Sequence, residues 1–165
     1  MSEVTSVSGI IYSMNIGFNV KSRAIYVAIG EQANGAFQLL KIDRLLYQIE
    51  ADEDIGSLFD KCETLIADLL SKFPDVRFGY LPSFAGSMGS GVETIKAEAL
   101  MQLSIIRSNH VVRRITPQSL PKLLGAAKGV KWNEQISSLL NASQNWPYWN
   151  AGADGAAAVC YAINE

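Results

Sequence analysis

The sequence predicts an α/β fold: one mixed five-stranded sheet, three antiparallel strands and then parallel additions, with helices on both faces. Three observations predict it. The first third holds three β-rich segments separated by short polar connectors. From residue 55 onward, helical and strand-like segments alternate. Parallel additions across a helix need right-handed crossovers, so this order closes one mixed sheet covered on both sides.

Gly9 to Phe18, Arg23 to Gly30 and Ala36 to Leu45 are rich in β-branched, aromatic and aliphatic residues and read as strands. The connectors Asn19 to Ser22 and Glu31 to Gly35, the second ending in Asn-Gly, suit antiparallel hairpins. Ile55, Leu58, Phe59, Cys62, Leu65, Ile66, Leu69 and Leu70 recur at helical spacing, and Pro74 stops that helix. Val76 to Leu81 reads as a fourth strand, and Pro82 to Gly91 as a Gly/Ser-rich loop. A second helix runs from Val92 to Ile106, its inner face read as Val92, Ile95, Ala99, Leu103 and Ile106. Val111 to Ile115 is a fifth strand, and Thr116-Pro117 opens a short helix. Helices at Trp132 to Leu140 and at the Ala/Gly-rich Gly152 to Ile163 complete the chain.

Residues 1–165 fit a single domain with a sizeable core. A net charge of -2 argues against strong autonomous grip on duplex DNA, which favours a basic surplus. Cys62 and Cys160 lack metal-ligand spacing and read as buried free thiols of a reducing compartment. Met1 to Ser8 has no leader character and no window is apolar enough to span a bilayer. The expectation is a cytoplasmic protein without a membrane partner.

Several motifs carry a family resemblance. Ile115-Thr116-Pro117 with Leu120, then Lys131-Trp132-Asn133-Glu134-Gln135-Ile136, and finally Ala153-Asp154-Gly155-Ala156-Ala157-Ala158-Val159 occur in that order. Together with Gly17-Phe18-Asn19 early in the chain, they resemble the RuvC branch of the ribonuclease H-like proteins. The resemblance covers nearly the whole chain and implies a three-layer ribonuclease H-like fold. It also implies two-metal catalysis, in which three or four carboxylates hold divalent ions that activate water.

The acidic set which that chemistry needs is depleted here. By this alignment the first-strand aspartate is Asn19, the fourth-strand glutamate is Tyr80 or Pro82, and the C-terminal pair is Asp154 with Ala151. Asp154 is the carboxylate that remains, with Asn19 a neutral ligand at best. Glu98 is the candidate replacement, and Glu93, five residues away, does not share its helical face. No cofactor is expected, with Mg or Mn required only if the chain is an active nuclease.

Other signals have plainer readings beside functional ones. Ser87, Gly89, Ser90 and Gly91 precede a helix and form a candidate anion-binding loop, although the Gly-Lys-Ser/Thr of a nucleotide P-loop is missing. Arg113, Arg114, Lys128 and Lys131, with Lys122 between them, form a modest basic region that would meet nucleic-acid phosphates, or is simply solvated. Trp132, with Trp146, Tyr148 and Trp149, would stack on bases or pack a core. His110 has no catalytic partner in the sequence. RuvC relatives pair through the helix after the fourth strand, so the resemblance implies a homodimer. Here that helix carries Leu100, Met101 and Ile105 beyond its expected inner stripe.

Three functions compete on this reading. The first is a non-catalytic module that binds nucleic acid or a protein partner. The second is a metal-dependent, resolvase-like nuclease with a rearranged site. The third is an oligomeric or inhibitory interaction protein that uses the scaffold without nucleic acid.

Overall fold

The computed structural model describes residues 5–7, 10–73, 75–83, 91–140 and 145–163, with backbone only for 5–7 and 10–12. A short strand β1 (Thr5–Val7) pairs antiparallel with the start of β2 (Ile10–Lys21), an addition the sequence reading lacks. β2, β3 (Ala24–Ala33) and β4 (Ala36–Leu46) form the antiparallel meander. Its two connections are tighter than expected. Lys21 pairs with Ala24 and Ala33 with Ala36, leaving Ser22-Arg23 and Asn34-Gly35 as two-residue turns. All four turn residues have positive φ, the geometry whose twist matches right-handed strands. Asn19 therefore lies inside β2 and not in a loop.

α1 (Asp52–Lys72) follows. Asp52, Glu53 and Asp54 sit at its positive end and Lys72 at its negative end. The Asp54 carboxylate accepts the main-chain N–H groups of Glu50 and Ala51, closing the first turn. β5 (Val76–Leu81) adds parallel to β2, and after α2 (Val92–Arg107) comes β6 (Val112–Arg114), parallel to β5. The sheet order β4-β3-β2-β5-β6 is the mixed five-stranded sheet expected, with β1 beside β2.

Helices cover both faces. α1 and α2 bury Leu58, Cys62, Ile66, Leu69, Ala97, Met101 and Ile105 against Ile16, Phe18, Val27 and Phe78. On the other face lie α3 (Leu120–Leu123), α4 (Trp132–Leu139) and α5 (Ala153–Ala162), packed on Ala24, Tyr26, Ala28 and Ile42. Cys62 and Cys160 are buried free thiols, and burial pushes the Cys62 thiol up to about 12. Among the described residues no helix is long and apolar enough to cross a membrane.

The orientation of α2 corrects the sequence reading. Its buried face is Thr94, Ala97, Met101, Ser104 and Ile105. The stripe expected inside faces out: Val92, Ile95, Leu103 and Ile106 are 67%, 39%, 44% and 56% exposed. This helix carries two apolar stripes, so periodicity cannot choose between them. Ser104 is cheap to bury because its hydroxyl donates to the Leu100 carbonyl.

α5 lies unusually close to the sheet, in a trough floored by glycine. A Cβ on Gly17 would fall 2.2 Å from the Ala156 carbonyl oxygen, and one on Gly79 would meet Val159 and Ile163 at 2.9 Å. Gly17 and Gly79 are register partners on β2 and β5, so the floor is continuous across the strands. The alanines of α5 supply the other half of this fit.

Candidate functional site

Alternate residues of β2 face α5, and the polar ones tie the helix down. Asn15 is fully buried; its Nδ2 donates to the Cys160 carbonyl, and Arg77 Nε donates to its Oδ1. Arg77 also donates to the Ser13 hydroxyl. Four residues further along, Asn19 Nδ2 donates to the Gly152 carbonyl at 2.9 Å. Lys21 is next on this face, at the exposed end of the strand.

Opposite Asn19 on β5 stands Leu81, which is buried. The sequence alignment offered Tyr80 or Pro82 for this place. Tyr80 instead packs into the core under α1 and α2, because strand parity sends it to the opposite face. A Cβ on Gly155 would sit 2.5 Å from Asn19 Nδ2 and 3.0 Å from Leu81 Cδ2, so both strands converge on the first turn of α5.

Asp154 occupies that turn. Its Oδ1 accepts the Gly155 amide at 2.8 Å. Burial raises its pKa above the ordinary carboxylate value, while the Gly155 amide and the Lys21 charge pull the other way. Ala151 is exposed in the preceding 3-10 turn (Trp149–Ala151). Tyr148 opens this turn in a left-handed conformation, and its carbonyl accepts the N–H groups of Ala151 and Ala153. The Tyr148 ring sits 4.2 Å beneath the Arg44 guanidinium and tilts against Tyr26.

Glu98 is held elsewhere. Its Oε2 accepts both the amide and the hydroxyl of Ser83, at 2.8 and 3.0 Å, on the α1/α2 side of the sheet. Burial raises its pKa, opposed by those two bonds and by the Arg114 charge. The structure therefore does not bring Glu98 to Asp154. Glu93 accepts the Ile49 amide and pairs with Arg23.

A pair of divalent cations needs several anionic or carbonyl oxygens converging on one point. The set here does not fit. Facing the first turn of α5 are Asn19, whose amide nitrogen donates to Gly152 and whose Oδ1 is a single neutral oxygen, and the hydrocarbon of Leu81, neither of them a second carboxylate for Asp154. Among the described residues no group of three or more His, Cys, Asp or Glu side chains could hold a metal ion.

The basic candidates are dispersed. Arg113 and Arg114 are adjacent on β6 and so project to opposite faces of the sheet. Lys128 and Lys131 are exposed. Trp132 is half-buried against the α5-side core. The Lys131-to-Gln135 motif has structural work: the Lys131 amide donates to Glu134 Oε1, and Gln135 Nε2 donates to the Leu124 carbonyl. Trp149 Nε1 donates to Ser137. Ser87, Gly89 and Ser90 lie outside the described residues, and Gly91 is the exposed cap of α2. His110 bonds to Ser108 and sets its ring edge on Phe78.

Sequence reasoning missed Lys21, Leu81 and the Asn15–Arg77 pair. Counting in twos from Asn19 would have found Lys21 and Asn15; Leu81 required the β2–β5 register.

The sequence matches no protein-family model and no curated protein. Solved structures are similar. Thermus thermophilus RuvC superposes with a TM-score of 0.67 at 12% identity, covering 90% of this chain and 92% of that one. RuvC of T. thermophilus in complex with a Holliday junction substrate gives 0.66 at 12% identity, covering 91% of each chain. The chain has the RuvC-like, ribonuclease H-like fold.

Proposed function

We propose that this chain is a non-catalytic ribonuclease H-like module that binds nucleic acid, with no metal cofactor. The observation that carries the reading is the loss of carboxylates around Asp154: a neutral asparagine and a leucine stand on the strands where a two-metal nuclease needs acidic oxygens. The fold likeness to a RuvC seen with junction DNA supports nucleic acid as the partner class. Lys128 and Lys131 on the α3–α4 side, with Arg113, are the side chains proposed to meet phosphates. Two buried free thiols agree with work in the reducing cytoplasm.

A gel mobility assay with single-stranded, duplex and four-way-junction DNA tests this, run once in chelator and once in manganese. The expected result is a shift in both buffers and no cleavage in either. Manganese-dependent cleavage that disappears in Asp154→Ala would overturn it, and absence of any shift would favour a protein partner.

A second reading concerns assembly. The outward stripe Val92, Ile95, Ala99, Leu103 and Ile106 advances by three or four residues at each step, the spacing of a helix–helix seam. We propose that α2 pairs with α2 of a second copy, Ala99 at the centre allowing close approach.

A further inference from the structure

Arg44 on β4, Tyr26 on β3, Asn19 on β2 and Leu81 on β5 are register partners, so their side chains form one row on the α5 face of the sheet. Tyr26 is buried within that row. A Cβ on Gly152 would fall 2.6 Å from its ring, so the turn before α5 rests directly on it. Tyr148 leans on the same ring, centroids 6.1 Å apart, and the Arg44 guanidinium lies 4.2 Å from the Tyr148 centroid. Trp132, Trp146 and Trp149 pack against the α5-side core, whereas Tyr148 is 39% exposed. Its φ of 61° is left-handed, a conformation that glycine or asparagine holds with less strain, so the turn itself does not call for a ring. Arg44 is exposed as well. Among the described residues no carboxylate pairs with it, its neighbour Asp43 being engaged by Lys41. An exposed ring and an uncompensated guanidinium therefore stand together at the surface, beside the turn that leads to Asp154.

We propose that the Tyr148–Arg44 pair is a stacking platform for one unpaired base of a single-stranded nucleic acid, an inference that rests on the nucleic-acid reading above. Every base has a π-face, and both an aromatic ring and a guanidinium plane stack on it, so such a platform tolerates any sequence. The Arg44 charge adds attraction for the adjoining phosphate. A duplex keeps its bases stacked on one another and has none to offer the ring. An acidic peptide would use the cation and leave the ring idle.

The test is fluorescence anisotropy with the full chain at one fixed low salt concentration, because affinity falls steeply with salt. Three labelled probes are compared: a short oligothymidylate strand, a strand of equal length with every site abasic, and a duplex. Wild type is expected to bind the thymidylate strand about tenfold more tightly than the abasic one, the effect of one stacked base. Tyr148→Asn, which suits the left-handed turn, is expected to remove that tenfold difference and to leave duplex affinity and the urea midpoint unchanged. Tyr148→Phe retains the difference, and Arg44→Lys, which keeps the charge without the plane, weakens the thymidylate strand alone. Equal wild-type affinity for the two strands would overturn the proposal, as would a loss from Tyr148→Asn shared by strand and duplex. The abasic comparison is made on the wild type, so it decides the matter whatever the variant does to stability. A wild type that binds the duplex and both strands equally keeps the nucleic-acid reading and loses the platform. A wild type that binds no oligonucleotide overturns both.

Discussion

At the scale of single residues, the ionised Asp154 and Glu98 side chains are at odds with their surroundings. Burial raises both pKa values above the ordinary carboxylate range, against the Gly155 amide and Lys21 charge for Asp154, and against Ser83 and Arg114 for Glu98. A carboxylate whose folded-state pKa is raised binds its proton more tightly in the folded chain. Its cost to stability is absent below the unfolded pKa of about 4 and grows as pH rises through the raised value. Asp154→Asn is therefore expected to raise the urea midpoint at about pH 7 and to change it little at about pH 3. Glu98→Gln follows the same sign, because an amide oxygen can still accept both Ser83 bonds. Denaturation curves of each variant at the two pH values check this, and a gain at the acidic end alone would contradict the burial argument.

Among the elements, α5 has the least tolerance for change. The 2.2 Å approach of a Gly17 Cβ to the Ala156 carbonyl is to backbone, which no rotamer change can relieve. Gly17→Ala is expected to cost about 3 kcal/mol, the upper range for overpacking, measurable by thermal or urea unfolding. Gly56→Ala, on the exposed face of α1 with open space around it, is expected to cost nothing and serves as its control. α2 makes the opposite case: on the proposed seam, Leu103→Glu with Ile106→Lys should leave a folded monomer in sedimentation, where the wild type is expected to sediment as a dimer. These two helices also mark what sequence could convey. The meander was legible because alternation and the Asn34-Gly35 turn are local signals, and the small residues of α5 gave its closeness to the sheet. Which face of α2 turns inward was not, since Ala97-Met101-Ile105 and Val92-Leu103-Ile106 are equally plausible stripes. Nor was the place of Leu81, because parity across β2 and β5 depends on a register between strands more than fifty residues apart.

For the molecule as a whole, the issue is how a chain of net charge -2 holds a polyanion. Affinity for duplex DNA falls with salt in proportion to the phosphates neutralised, with a log–log slope near -0.9 for each. The proposed surface offers few cations, because β6 sends Arg114 toward Glu98 on the far side and leaves Arg113 with Lys128 and Lys131. About three contacts imply a slope of roughly -3, so a fourfold rise in salt should weaken binding by only about fiftyfold, against the thousandfold or more of a strongly basic binder. Lys128→Ala with Lys131→Ala should flatten that slope by about two units while leaving stability unchanged, as both side chains are exposed. Arg114→Ala should not flatten it; its effect belongs to Glu98, whose pKa should rise further once that charge is gone. A slope as steep as that of a strongly basic binder, or equal loss from Arg114→Ala, would mean that the phosphates run along the α2 face instead. That face is the one the proposed dimer covers, so the salt slopes and the sedimentation of the α2 variant constrain each other.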